Sequence, residues 1–280
     1  MSTKPLQLVT DVPPSFTLAM RRLRDVADVA RFYYSALPHI HADVKWARIR
    51  LAEGIPALTG DILLDWQTLD SLVHASINVY EEGPNDRASS PVRRDLDALV
   101  DELGEDQLLA AVFAGAWNDL AQVRASEGPS VRQATLTLLD YATRPALHAA
   151  ARDLRDVLTE AEWTRGTCPC CGALPTLAEI RSPKDEQSRV LRCGRCATAW
   201  GFARLACPAC GEHDHNQLRY LHVDNEVEHR RAECCLTCGF YVKAVARLDP
   251  LDAEAVFDID LETIALDSIA LESGFHKRAS

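Results

Sequence analysis

The chain has 280 residues, which is enough for two domains, and its hydrophobic content of 47% is ordinary for a globular protein. Because no run of about 18 or more apolar residues occurs, the sequence predicts no membrane-spanning helix. The net charge of −11 and an isoelectric point near 5.3 argue against general nucleic-acid binding, which requires a basic surface.

The first part of the chain is predicted to be helical. Residues 1–15 contain three prolines and no periodic pattern, so we expect a loose arm. From Phe16, apolar residues recur every three or four positions, which predicts a helix that reaches Pro38. Further helices are predicted over residues 42–53, 61–80, 91–103, 105–127, 130–143 and 145–158. Asp61 is the expected cap of the second of these, and Pro145 lies in the first turn of the last.

The histidines of the helical region form no catalytic or metal-binding pattern. His39, His41, His74 and His148 lie on separate segments, without an H-x-x-x-H or H-E-x-x-H spacing. Each is interpreted as a surface or core histidine. We expect no intrinsic enzymatic activity.

All ten cysteines lie between residues 168 and 238. Eight of them form four C-x-x-C pairs, and two thiolates at this spacing can converge on one tetrahedral metal ion. A glycine follows three of the four pairs and allows the backbone to turn with a positive φ. The candidate metal ligands are Cys168, Cys171, Cys193, Cys196, Cys207, Cys210, Cys235 and Cys238.

The spacing between the pairs favours two sites along the chain. Twenty-one residues separate the first pair from the second and 24 separate the third from the fourth, and each span can hold a β-hairpin. Consecutive pairing predicts a first site at Cys168, Cys171, Cys193 and Cys196, and a second at Cys207, Cys210, Cys235 and Cys238. An interleaved pairing is the alternative and needs longer excursions of the chain. The two units repeat with a period of 39 residues, and each closes on a strand-like run, at 199–205 and 240–246.

A disulfide framework is the alternative to metal binding. Residues Met1 to Thr10 lack the pattern of a secretory signal, and disulfides are rare in a reducing cytosol, so metal binding is expected. A structural role for the metal is the default, because a small ribbon has little core of its own. Cys170 and Cys234 stand beside ligand pairs and are interpreted as buried fillers. A reactive thiol or an alternative ligand is the second interpretation.

The segment after the cysteines is predicted to be helical. Apolar and acidic residues alternate between residues 251 and 273, and Gly274 is expected to end the helix. We expect its apolar face to pack back on the ribbons or on the helical domain. An acidic helix that docks a partner is the alternative.

The predicted fold combines α-helices with a small amount of β-structure. An all-helical N-terminal domain is followed by two tandem rubredoxin-like or zinc-ribbon metal knuckles and a C-terminal helix. The predicted boundaries are 1–15 for the arm, 16–163 for the helical domain, 164–205 and 206–249 for the two ribbons, and 250–280 for the C-terminal helix and tail.

Three motifs in this half of the chain carry a family resemblance. They are W-x-x-G-x-C-P-x-C-G-x-x-P from Trp163, R-C-x-x-C-x-x-x-W-x-x-x-R-x-x-C-x-x-C from Arg192, and E-x-C-x-x-C-x-x-Y-x-K from Glu233. Together with Asp249-Pro250 and Leu266-Asp267, they resemble the FdhE family of formate dehydrogenase accessory proteins. Cys170 and Cys234 depart from the family pattern, and the acidic pair of its C-terminal segment stands here as Asp258-Ile259-Asp260.

The resemblance implies a cytoplasmic maturation factor that is not itself an enzyme. Such a factor binds the catalytic subunit of a molybdenum- or tungsten-dependent formate dehydrogenase and is needed for its assembly. From the charge and the hydropathy, no nucleic-acid partner and no membrane span are expected. The resemblance implies iron at the two sites, whereas the spacing alone admits iron or zinc, because both accept four sulfurs in a tetrahedron. The alternatives are a rubredoxin-like electron carrier and a zinc-ribbon protein that binds nucleic acid.

Overall fold

The computed structural model describes residues 14–36, 40, 42–59, 61–81, 89–125, 127–181, 189–223, 229–247, 249–253 and 255–277. The predicted arm lies outside these residues, except for its last two positions, which belong to the first helix. The described residues contain ten α-helices: Pro14–Ala36 (α1), Val44–Ala52 (α2), Trp66–Tyr80 (α3), Pro91–Leu103 (α4), Glu105–Ala114 (α5), Trp117–Gln122 (α6), Pro129–Asp153 (α7), Arg155–Glu160 (α8), Ala255–Glu262 (α9) and Ile264–Glu272 (α10).

The helical region is built around α7, which contacts α1, α3, α4, α5 and α6. The prediction of two helices separated before Pro145 is wrong, because α7 runs through this proline without interruption. Leucines and alanines on both sides of Pro145 are fully buried, so packing against neighbouring helices holds the backbone helical. The Thr143 hydroxyl also donates to the carbonyl of Asp140, at 2.8 Å, within the same turn.

Two other helix boundaries differ from those predicted. The cap of α3 is Asp65, whose carboxylate accepts the N–H of Thr68 at 2.8 Å, whereas Asp61 forms an ion pair with Arg50. The single helix predicted over 105–127 is two helices, because Gly115 adopts a left-handed conformation with φ of +71° and ends α5. The alanine-rich sequence on either side of Gly115 gave no sign of this break.

The cysteine-rich half contains one six-stranded sheet, and the predicted hairpins between cysteine pairs are confirmed. The strands are Leu177–Ile180 (β1), Arg189–Arg192 (β2), Ala199–Gly201 (β3), Leu218–Leu221 (β4), Arg230–Cys235 (β5) and Tyr241–Ala246 (β6). Their order is β3-β2-β1-β6-β5-β4. All neighbours are antiparallel except β1 and β6, which pair in parallel with Leu177 opposite Lys243 and join the two ribbons.

The C-terminal segment packs back on the ribbons, as the apolar pattern predicted. Val256 and Ile259 of α9 lie against Leu177 and Val245 of the sheet, and Leu266 of α10 lies against Tyr241. The expected single helix is a pair, α9 and α10, separated at residue 263. Gly274, with φ of +85°, follows the end of α10, as expected.

The main cluster of buried apolar side chains extends from the helices into the cysteine sites. It includes Leu138 and Leu139 of α7, Leu96 of α4, and the cysteines Cys168 and Cys193. The helices therefore form part of the wall around the candidate metal ligands. Within the described residues, no helix is both long enough and apolar enough to cross a membrane.

Candidate metal centres

The eight predicted cysteines lie in two groups of four, arranged by consecutive pairing. Within each group the four sulfur atoms lie within 4.8 Å of one another. In the first group the Sγ atoms of Cys168 and Cys196 are 3.4 Å apart, and those of Cys171 and Cys193 are 3.5 Å apart. In the second group the Sγ atoms of Cys207 and Cys238 are 3.7 Å apart, as are those of the other pair.

These distances suit a tetrahedral metal ion. With metal–sulfur bonds of about 2.3 Å, four ligands at the corners of a tetrahedron lie about 3.8 Å from one another. The sulfur–sulfur distances of 3.4–3.7 Å are close to that value. Both groups could therefore hold a metal ion. Four sulfurs do not distinguish zinc from iron, because both ions accept this donor set.

The same backbone turn builds all four knuckles. The N–H of the residue after the second cysteine donates to the carbonyl of the first cysteine, at 2.8–3.1 Å, and the donor residue has a positive φ. Glycine adopts this conformation without steric cost. The residues at this position are Gly172, Ala197, Gly211 and Gly239. Ala197 is the non-glycine residue with a positive φ (59°) in the described part of the chain.

The first group is buried and needs a compensating cation to ionise fully. Burial raises the pKa of Cys168 and of Cys196 well above the usual thiol value, and the pKa of Cys171 is raised as well. Hydrogen bonds from the neighbouring cysteines lower the pKa of Cys193 well below that value. Four thiolates in this interior require a metal ion to offset their charge.

The second group lies nearer the surface. Cys210 is exposed and Cys238 is half-buried, whereas Cys207 and Cys235 are buried. Burial raises the pKa of Cys207 above its usual value. The two groups therefore offer the same donors in different surroundings, one enclosed by protein and one with a sulfur at the surface.

Cys170 and Cys234 belong to neither four-sulfur group among the described residues. Both side chains are buried, with 0% and 2% of their surface exposed. Burial raises the pKa of Cys234 to about 12, which keeps this thiol protonated and poorly reactive at neutral pH. Their placement favours the interpretation as buried fillers.

A buried group of charges lies beside the second ribbon, and the sequence patterns did not predict it. The ammonium group of Lys243, on β6, has no exposed surface and lies 2.6 Å from a carboxylate oxygen of both Asp260 and Asp267. The Asp267 carboxylate also accepts a hydrogen bond from the Tyr241 hydroxyl at 2.8 Å, and the Lys277 ammonium lies 3.1 Å from the same carboxylate. The family motifs include Tyr241, Lys243 and Asp267, but no sequence pattern indicated that these side chains meet in the interior.

Arg195, inside the second C-x-x-C pair, is a further residue that sequence reasoning missed. Its guanidinium is buried and donates to Asp140 of α7 at 2.9 Å. His148 of α7 lies beside the same knuckle, where desolvation lowers its pKa to about 4, so the imidazole is neutral. His148 is not among the clustered metal-ligating groups, while His39 and His41 lie outside the described residues.

Comparison with known proteins shows which proteins these sites resemble. Sequence models of two domains match adjacent stretches: the FdhE central domain over residues 167–204 and the FdhE C-terminal domain over residues 205–280. A protein FdhE of Salmonella paratyphi A (strain ATCC 9150 / SARB42) is 29% identical over 231 residues, which are 82% of this chain and 70% of that protein. The cysteine-rich half of this chain and its C-terminal segment are therefore similar to the FdhE central and C-terminal domains.

Two further FdhE proteins resemble this chain, one in sequence over part of its length and one in fold over nearly all of it. An FdhE homolog of Aquifex aeolicus (strain VF5) is 35% identical over 118 residues, which are 41% of this chain and 40% of that protein. The crystal structure of the FdhE protein of Pseudomonas aeruginosa has a TM-score of 0.62 with 23% identity, and the match covers 96% of each chain. The helical region, the sheet and the C-terminal helices are thus shared as a fold. The residues that the two FdhE domain models match include all eight clustered cysteines.

Proposed function

We propose that this chain is an accessory protein in the maturation of a formate dehydrogenase. It binds the catalytic subunit of a molybdenum- or tungsten-dependent enzyme in the cytoplasm and is required for that subunit to become active. The similarity to FdhE proteins supports the accessory role. The single observation that carries the proposal is the pair of four-cysteine groups inside the matched FdhE domains.

The eight cysteines bind two metal ions per chain in this proposal, with iron and zinc as the candidates. The sulfur–sulfur distances and the buried thiols of the first group support metal binding. Bound iron supplies one-electron chemistry, whereas bound zinc has no redox change and holds the fold. The protein contributes the two knuckles that fix each set of sulfurs, and the helices that exclude water from the first set.

The accessory protein acts by binding and not by catalysing the oxidation of formate. The shared core of helices and ribbons supports this role, because it joins both parts in one folded unit that a client can contact. The charges of the ribbon region support a protein partner over nucleic acid, since residues 168–250 contain 11 Lys and Arg against 10 Asp and Glu.

Deletion and complementation test the proposal in a host that makes the dehydrogenase. We expect formate dehydrogenase activity to fall to background in the deletion strain, while immunoblotting still detects the catalytic polypeptide. The wild-type gene restores activity, and so does Cys234→Ala, which removes a cysteine outside the two groups. Cys207→Ser/Cys210→Ser does not restore it. Undiminished activity in the deletion strain contradicts the accessory role.

Direct binding is tested separately by purifying the tagged accessory protein from cells that lack assembled dehydrogenase. We expect the catalytic subunit to co-purify. If activity depends on the accessory protein but no catalytic subunit co-purifies from any growth phase, the direct-binding part of the proposal is wrong.

A rubredoxin-like electron carrier is the second candidate, and the exposure of Cys210 favours it, because electron exchange requires a centre near the surface. An absorption spectrum with thiolate-to-iron bands that bleach reversibly on reduction supports this candidate. Colourless protein with bound zinc contradicts it.

A further inference from the structure

The two knuckles of the first cysteine group are attached to different parts of the helical region. The knuckle that contains Cys168 and Cys171 is held by the segment after α2. The N–H of Ala57 donates to the Pro169 carbonyl, and the N–H of Leu58 donates to the Cys170 carbonyl, each at 2.8 Å. This knuckle is therefore joined to the α2 side of the molecule through its backbone.

The other knuckle, which contains Cys193 and Cys196, is attached through the side chain of Arg195. Its guanidinium donates to the Asp140 carboxylate of α7 and to the carbonyl of Val112, both at 2.9 Å. Val112 lies in the last turn of α5, where the helix dipole favours a cation. The guanidinium also lies over the ring of Trp117 in α6, 5.3 Å from its centroid.

Neighbouring backbone atoms lie close to this guanidinium and leave little free space around it. Gly115 links α5 to α6, and a Cβ atom at this position would lie 2.9 Å from Nη1 of Arg195. The link between α5 and α6 therefore lies in close contact with the Arg195 side chain, and a side chain at position 115 would displace it. Because five N–H donors are fixed in one plane, an arginine can bond Asp140 and the end of α5 at the same time.

The second cysteine group has no corresponding links to α5–α7 in the hydrogen bonds of the described residues. The backbone of Cys207 bonds to Glu212, that of Leu236 to Gln217, and that of Gly239 to His276. All of these partners belong to the second ribbon or to the C-terminal segment. The two sites therefore differ in what they hold together.

We propose that the first cysteine group is a metal-operated clasp of the helical region. A bound ion holds the two knuckles against each other, and thereby holds the segment at residues 57–58 and the helices α5–α7 in one arrangement. Arg195 is the positioning residue that connects the site to α5, α6 and α7. The inference rests on metal binding at the first group, which is part of the proposed function.

Hydrogen–deuterium exchange on the full-length, metal-loaded chain tests the clasp, with the metal content of every sample measured in parallel. Arg195→Met is expected to keep two metal ions per chain while amides in residues 105–123 exchange about tenfold faster or more. Arg195→Lys, which keeps the charge but lacks the planar fork, is expected to restore only part of the protection. Arg219→Met, in the exposed part of the second ribbon, is the matched control and leaves residues 105–123 unchanged.

Cysteine variants distinguish the two sites. Cys193→Ser/Cys196→Ser is expected to lose one ion and to speed exchange over residues 105–123, whereas Cys235→Ser/Cys238→Ser loses one ion without that change. Unchanged exchange in fully loaded Arg195→Met overturns the clasp, and so does equal loosening of residues 105–123 by the second-site variant. Wild-type protein without bound metal overturns metal binding itself, and elemental analysis alone identifies that outcome.

Discussion

Lys243 shows how a single residue can join the ribbons to the C-terminal helices. It lies on a central strand, yet its ammonium group reaches the carbonyl and carboxylate of Asp260 and the carboxylate of Asp267, each at 2.6 Å. Burial of one unpaired charge is costly, and this cost is offset only while the partners stay in place. The position of α9 and α10 on the sheet is therefore tied to this residue.

Replacement of Lys243 by methionine keeps the apolar stem and removes the charge. Because Asp260 and Asp267 then lose a buried partner, we expect the free energy of unfolding to fall by about 3–5 kcal/mol. Denaturant unfolding at fixed metal content, followed by circular dichroism, measures this change.

An exposed ion pair provides the control for Lys243→Met. Arg48 and Glu160 lie 2.8 Å apart, and each side chain is 60% exposed. Arg48→Met is expected to change stability by less than about 1 kcal/mol. A similarly small effect of Lys243→Met contradicts the role given to the buried charges.

At the level of residues, spacing predicted the eight cysteines that the structure brings together, because the ends of a hairpin are close in sequence as well as in space. Arg195 and Lys243 were not recognised as buried. Their burial depends on Asp140, which is 55 residues away, and on Asp260 and Asp267, on helices packed against the sheet. A local pattern contains no information on such partners.

The turn between α5 and α6 permits a test at the level of elements. Gly115 and Gly274 both have a positive φ and both lie at the C-terminal end of a helix. In both turns the glycine N–H donates to the carbonyl three residues earlier, and the next N–H donates to the carbonyl five residues before it. A Cβ atom at Gly274 would meet nothing within 4 Å, whereas one at Gly115 would meet Arg195. Substitution of Gly274 therefore tests the effect of backbone strain alone, whereas substitution of Gly115 adds displacement of Arg195.

Gly274→Ala is expected to cost about 1 kcal/mol, from the left-handed conformation alone. Gly115→Ala is expected to cost more, because the same strain is joined by the loss of charged hydrogen bonds worth roughly 1.5–3 kcal/mol. Thermal or denaturant unfolding of the two variants measures the difference. Equal losses of stability contradict the close fit of Arg195 against the turn.

Elements were predicted best where the signal was local. Helix α4 matches its predicted range of 91–103, because Ser90 caps it, Pro91 begins it and Gly104 ends it. The continuity of α7 through Pro145 and the parallel pairing of β1 with β6 were not predicted. Both depend on packing between segments far apart in sequence, which periodicity does not report.

At the scale of the whole molecule, the two cysteine groups differ in their access to solvent. Three of the four cysteines of the first group are buried, whereas Cys210 of the second is exposed. Loss of a metal ion requires a sulfur to be released, and release is easier where little protein must open. The two sites are therefore expected to differ in kinetic stability.

A chromogenic chelator added in excess to the loaded protein is expected to remove the ions in two phases of equal amplitude. The fast phase belongs to the second group. Cys207→Ser/Cys210→Ser should retain only the slow phase, and Cys168→Ser/Cys171→Ser only the fast one. A single phase in the wild type, or the reverse assignment in the variants, contradicts the difference in access.

The proposed function and the role of the first cysteine group both require that the cysteine groups hold metal, and elemental analysis measures this directly. The chain is purified without oxygen or chelator, and its metal content is measured together with that of Cys168→Ser/Cys171→Ser. We expect two iron or zinc ions per wild-type chain and one per variant chain. Wild-type protein without metal, or a metal content unaffected by the substitutions, contradicts metal binding by the two cysteine groups.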